Sequence, residues 1–162
     1  MPTALIETPD GIFTATFSEK GLAQLDFPNG RKASHAVDVP AARRPEQWFR
    51  AAERALKLIL AGRTPKILPP LDLSAGTAFQ QSVWNALRRI PAGQTRSYAE
   101  VARAIGRPHA VRAVGQACGA NPIPVLVPCH RVLAAHGKLG GFSAGLDWKQ
   151  KLLAREKVEF DF

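Results

Sequence analysis

Nowhere in this 162-residue sequence does an apolar run approach the roughly 20 residues that a membrane-spanning helix requires. The opening stretch, Met1 to Asp10, lacks the basic segment followed by an apolar one that marks a secretory leader, so a cytoplasmic protein without a membrane partner is expected. Only two cysteines occur, Cys118 and Cys129, too few for a disulfide framework. They provide no C-x-x-C pair for zinc or dithiol redox chemistry, and each is treated as a free thiol. No glycine-rich nucleotide-binding signature follows a strand-like stretch, so S-adenosylmethionine is not implied and no cofactor or metal is expected. Acidic side chains are outnumbered 13 to 22 by Lys and Arg, for a formal charge of +9. An excess of that size on a small domain favours a polyanion, because counterions released from phosphates drive nonspecific nucleic-acid binding. Plain solubility is the other reading.

What is present divides into a strand-rich beginning and a helix-rich remainder. Ile12 to Phe17 and Leu22 to Phe27 are short, apolar and β-prone, with Ser18 to Gly21 between them, which predicts a hairpin. Pro28 to Pro45 has no periodicity and reads as a loop, with room for a short edge strand. Phe49, Ala52, Leu56, Ile59 and Leu60 then recur at helical spacing until Gly62. The proline-rich connection Arg63 to Gly76 marks a boundary, giving residues 1–72 as an α/β subdomain with a small antiparallel sheet and 73–162 as an all-α subdomain.

Two capping boxes open helices in that second part. Thr77 with Gln80 precedes the stripe Phe79, Val83, Leu87 and Ile90, and Ser97 with Glu100 precedes Val101, Ala102 and Ile105. A further helix is expected over Pro108 to Cys118, with Ala110, Val111, Val114 and Ala117 facing inward and Arg107, His109 and Arg112 outward. Two short helices about a glycine turn suggest a helix-turn-helix, the second helix being the one presented to DNA. An ordinary αα-hairpin fits the same pattern, and the net charge favours the former.

Asn121 to Val132 carries the chemistry. Its three prolines and apolar Val125 to Val127 predict a stiff, extended and buried segment that ends at Cys129. A lone cysteine is more often a small buried hydrophobe than a nucleophile, and Cys118 keeps that reading. Cys129 differs because His130 and Arg131 adjoin it, and a nucleophilic sulfur needs a base or cation to become thiolate. Neighbours on an extended segment point apart, so His130 would reach Cys129 through a water. On the last helix, from about Leu146, Glu156 follows Trp148 and Leu152 at helical spacing beside an apolar stripe. It either orients His130 in a Glu156, His130, water and Cys129 relay or lies solvated near Lys149 and Arg155. Gly137, Gly140, Gly141 and Gly145 surround Phe142 and Ser143 in what reads as a tight, pocket-lining loop.

At Pro128-Cys129-His130-Arg131-Val132 the sequence resembles the O6-alkylguanine-DNA alkyltransferases, or methylated-DNA-protein-cysteine methyltransferases. The likeness extends through Phe79 to Trp84, Ile90 to Gly93, Ser97-Tyr98, Arg112 to Gly115, Asn121-Pro122, Gly140 to Phe142 and Glu156. The resemblance implies a DNA repair protein that takes an alkyl group from O6 of guanine onto Cys129, irreversibly and once per molecule. It implies double-stranded DNA bound through the minor groove, with the damaged base flipped into a pocket and Arg112 filling the gap. By the same likeness, Cys129, His130, Glu156 and Tyr98 are catalytic, Tyr98 donating a proton as guanine leaves. Asn121, Val132, Phe142 and Ser143 would bind the base, and Arg112, Arg107 and Tyr98 would meet DNA. The protein would act as a monomer, with cooperative assembly on DNA left open. Phe142 stands where the family often has Tyr, which keeps the aromatic wall and loses any hydroxyl contact. Two rivals remain: a noncatalytic module that recognises alkylated bases, and a cysteine hydrolase that turns over repeatedly on an acyl substrate.

Overall fold

The computed structural model describes residues 1–28 and 46–160, so the loop expected over Pro28 to Pro45 lies, from residue 29 on, outside the described residues. Three strands, β1 (Thr3–Thr8), β2 (Gly11–Phe17) and β3 (Leu22–Asp26), form an antiparallel sheet in that order. The expected hairpin is β2 with β3. Strand β1 goes beyond it: Ala4 and Ile6 point into the core and sit opposite Ala15 and Phe13 of β2. Helix α1 (Glu46–Leu60) buries Ala52, Ala55, Leu56, Ile59 and Leu60, the three-to-four spacing that lays one face of a helix on a core.

Four more helices come after it: α2 (Ala78–Leu87), α3 (Tyr98–Ala104), α4 (Val111–Gly119) and α5 (Leu146–Arg155). Both capping boxes form as expected. Thr77 accepts from the Gln80 N–H at 3.1 Å and Ser97 from the Glu100 N–H at 3.0 Å, while each N3 side chain bonds back to the cap's own N–H. Helices α2, α3 and α4 pack on one another, and the Trp84 indole N–H donates to the Ala117 carbonyl at 2.8 Å.

Three expectations are corrected. The C-terminal part is not wholly helical, because β4 (Arg96–Ser97) pairs in parallel with β5 (Val132–Leu133). Helix α4 begins at Val111, with no side-chain cap, so Pro108 lies ahead of it and Val111 faces solvent. The segment from Asn121 to Pro128 is a folded turn rather than an extended stretch. Val125 is held at φ +76°, a conformation that β-branched residues rarely adopt. Asn121 holds it there, its Nδ2 donating to the Val127 carbonyl at 2.8 Å and its Oδ1 accepting from the Ile123 N–H at 2.9 Å.

One contiguous buried cluster runs from Ala4 and Phe13 in the sheet through Leu56 and Trp84 to Cys129 and Leu152. Trp148 of α5 packs on both Phe13 and Phe27, and Phe27 on Phe142, with ring centroids 4.9–5.9 Å apart. Among the described residues no helix is long and apolar enough to cross a membrane.

Candidate active site

Cys129 opens a short 3-10 turn, Cys129–Arg131, which runs directly into β5. Because β5 pairs with β4, and β4 runs directly into α3, the small parallel pair sets Tyr98, the first residue of α3, near Cys129. Tyr98 and Cys129 line the same cavity of about 420 Å³, together with Gly115, Gly119 and Phe142. The Tyr98 ring fits there because residue 140 is glycine: a Cβ at that position would lie 3.2 Å from the ring and from its hydroxyl. Gly140 also holds φ +69°. A second cavity, of about 530 Å³, lies between β3 and the Asn121 turn and also reaches Cys129, Cys118, Phe142 and Ser143. Cys129 is thus almost covered, yet it stands where two cavities meet.

Behind the thiol is a cluster of buried charges. Glu156 caps α5, and its carboxylate takes two bonds from Arg131, Nε to Oε1 at 2.9 Å and Nη2 to Oε2 at 2.8 Å. His130 Nε2 lies 3.0 Å from Oε2. Burial pushes the Glu156 carboxyl up, but the bonds from His130 and Arg131 and their charges outweigh it and hold the group at about 2. An ionised carboxylate only accepts, so His130 carries its proton on Nε2, and Nδ1 is left as a bare acceptor. Nδ1 is buried and has no hydrogen-bond partner among the described residues. Burial holds the imidazole neutral, lowering its pKa in spite of Glu156.

The thiols respond to the same burial. Cys129 is pushed up by it, while the Asn121 side chain and the positive charge of Lys149 pull the other way. The resting sulfur is therefore a thiol. Cys118 is pushed up to about 12 by burial, with Cys129 adding to the effect, and Tyr98 likewise to about 12. Among the described residues no group of three or more His, Cys, Asp or Glu is placed to hold a metal ion.

Residues 78–158 match the family described as 6-O-methylguanine DNA methyltransferase, DNA binding domain. The chain is 45% identical over 157 residues to a methylated-DNA--protein-cysteine methyltransferase of Methanosarcina acetivorans, covering 94% of this chain and 96% of that one. The chain belongs to this methyltransferase family. A Mycolicibacterium paratuberculosis protein of the same name is 52% identical over 109 residues, covering 67% of this chain and 66% of its own. Among solved structures, Mycobacterium tuberculosis OGT in complex with DNA superposes with a TM-score of 0.82 at 41% identity, covering 97% of this chain and 93% of that one.

Within this family member, the residues singled out in the sequence fall into four groups. Cys129, Tyr98, Phe142 and Ser143 line the smaller cavity, and Asn121 lines the larger. His130 and Glu156 stand behind them, hydrogen-bonded to each other, and Glu156 is buried rather than solvated near Lys149 and Arg155. Val132 is fully buried in β5 and lines neither cavity, and its carbonyl accepts from Lys149 at 2.7 Å. Arg112, on α4, and Arg107, in the turn before it, are exposed and away from the cavities.

Two participants were not legible. Arg131 stands beside Cys129 in sequence but turns away to hold Glu156 and, through Nη1 at 2.7 Å, the Ile90 carbonyl. Lys149 is wholly buried in α5 and donates to the carbonyls of Val132, Leu139 and Gly141, fixing the loop that carries Phe142. Burial brings its pKa down to about 8. Bonds to backbone carbonyls leave no mark in a sequence. The one available signal was that Lys149 directly follows Trp148 and lies three residues before Leu152, on the buried side of the helix.

Proposed function

We propose that this protein repairs DNA by moving the alkyl group of O6-alkylguanine onto Cys129 in a single, irreversible turnover. The observation that carries the reading is the pair of cavities meeting at Cys129, backed by a neutral His130 whose free Nδ1 faces no protein partner. In the reaction, the Cys129 proton passes through a water to His130 Nδ1, and the resulting imidazolium is stabilised by ionised Glu156, itself held by Arg131. The sulfur then attacks the alkyl carbon, the bond from carbon to O6 breaks, and the electron pair goes to the ring. Tyr98, kept protonated by burial, donates a proton to the departing guanine. A thioether is a poor leaving group, so the product does not turn over.

Residues 1–72 and 73–162 act as two subdomains about a shared core, the second reading DNA. Helices α3 and α4 serve as a helix-turn-helix at the minor groove. Arg112 fills the gap left by the extruded base, and Arg107 contacts the backbone. The base occupies the smaller cavity, against Phe142 and Ser143, with Asn121 keeping the turn before Cys129 in shape. Support comes from the charge of +9, from the exposure of both arginines, and from the similar M. tuberculosis protein in complex with DNA. The test is intact-protein mass before and after mixing with a duplex containing O6-methylguanine, followed by peptide mapping. The expected result is a gain of one methyl on the peptide holding Cys129, absent in Cys129→Ser. Binding with no transfer would leave a noncatalytic recognition module.

A further inference from the structure

Resting on that reading, the larger cavity bears on which lesions the protein accepts. In-line transfer sets sulfur, the reacting carbon and O6 in a row, so anything attached to that carbon projects sideways. With the base in the cavity of Tyr98 and Gly115, the sideways space reached from Cys129 is the groove of about 530 Å³. That volume far exceeds a methyl group's needs.

The walls of the groove differ. One is apolar, made by Pro122, Pro124 and Phe142. The other is the end of β3 with Phe27 just after it, fixed in place by the Leu25 N–H, which donates to the Pro122 carbonyl at 2.9 Å. Among the described lining residues Asp26 is the one carboxylate, and none is Lys, Arg or His. In a chain of net charge +9 these described walls carry the opposite sign. The carboxylate is set in position by Gln24, whose Nε2 lies 3.0 and 2.9 Å from its two oxygens. A carboxylate has about four lone-pair sites, so one amide leaves it able to accept from a ligand.

We infer that this groove receives the tail of bulky O6 adducts, and that Asp26 makes β3 a specificity wall favouring tails that end in an ammonium over tails that end in a carboxylate. Prolines and Phe142 would pack along the tail's methylenes while Asp26 meets its end. Attraction in one case and repulsion in the other, each on the scale of a half-exposed ion pair, give a combined preference of about three- to tenfold.

The test uses duplexes carrying O6-methylguanine, O6-butylguanine, O6-(4-aminobutyl)guanine or O6-(3-carboxypropyl)guanine, in single-turnover rates for the full chain. Each rate is divided by the same variant's rate on O6-methylguanine, which cancels general damage, and comparing variants with wild type on the same duplexes cancels the field of the DNA. Expected are transfer of the butyl group, and faster transfer of aminobutyl than of carboxypropyl. That ratio should fall towards one in Asp26→Asn, and rise in Gln24→Glu, which adds a second carboxylate to the wall. An unchanged ratio in both variants, or methyl transfer with no butyl transfer, overturns the assignment of the groove. No methyl transfer from any duplex would instead bring down the underlying alkyltransfer reading, and the groove with it.

Discussion

Phe13 and Phe17 of β2 and Leu56 of α1 are buried as completely as His130 and Lys149 behind Cys129. In the first region the side chains are apolar and belong to one buried hydrophobic cluster, so what matters is the area withdrawn from water, about 25 cal/mol per Å². In the second, each buried charge has named partners: Glu156 has Arg131 and His130, and Lys149 has three carbonyls. Apolar burial tolerates the exchange of one hydrophobe for another of the same volume. A buried ionic cluster stands or falls as a set, because removing one member leaves another charged and unpaired. The difference is sharpest in a matched pair of substitutions. Leu56→Met, a swap at nearly constant volume, should cost under about 1.5 kcal/mol. Arg131→Met, which also keeps bulk, should cost about 3–5 kcal/mol because Glu156 loses its charged partner. Urea unfolding at pH 7 measures both, and equal costs would erase the distinction between the two regions.

The same contrast explains what the sequence disclosed. Helix α1, both capping boxes and the β2–β3 hairpin arise from local spacing, and each forms within a residue or a few of its expected place. The motif around Cys129 was legible from its family likeness, and the pairing of His130 with Glu156 from helical spacing combined with that likeness. What failed was non-local or conformational. The parallel pairing of β4 with β5 joins residues 36 positions apart, Arg96 to Val132, and two-residue strands carry no pattern. The turn at Val125 defies the preference of a β-branched residue, and only the Asn121 bonds to Ile123 and Val127 explain it. Strand β1 was the avoidable miss, since Ala4 and Ile6 already alternate with partly exposed neighbours.

Acid should separate the regions further. Glu156 sits at about 2 in the fold against an ordinary 4.5, so its contribution to stability is complete above the ordinary value. It is lost as pH falls from about 4.5 through about 2, where the unfolded chain binds a proton before the folded one does. Glu156→Gln has no such proton to bind, so its stability should vary less with pH across that window than wild type does. The Leu56→Met variant should keep the wild-type slope, displaced by a constant. Chemical denaturation at several pH values between 5 and 2 makes the comparison; parallel curves for wild type and Glu156→Gln would mean that the carboxylate is not held as described.

The smallest expected effect on stability is shared by two helix starts that differ in the residues they lead into. Thr77 and Ser97 make the same capping box with the same geometry, so alanine at either should cost about 1 kcal/mol. The helix opened by Thr77 begins with Ala78 and Phe79, which line neither cavity at Cys129, whereas the one opened by Ser97 begins with Tyr98 itself, which lines one of them. Ser97 also lies in β4, opposite Leu133, so loosening it disturbs the pairing that brings Tyr98 to the turn of Cys129. Ser97→Ala should therefore slow alkyl transfer severalfold at a temperature where both variants are fully folded, and Thr77→Ala should leave the rate at the wild-type value. Single-turnover rates alongside thermal unfolding read the two effects independently. If both variants slow transfer equally, the loss is a general consequence of lowered stability and Tyr98 has no special dependence on its cap; if neither does, the parallel strand pair alone suffices to hold the tyrosine over the thiol.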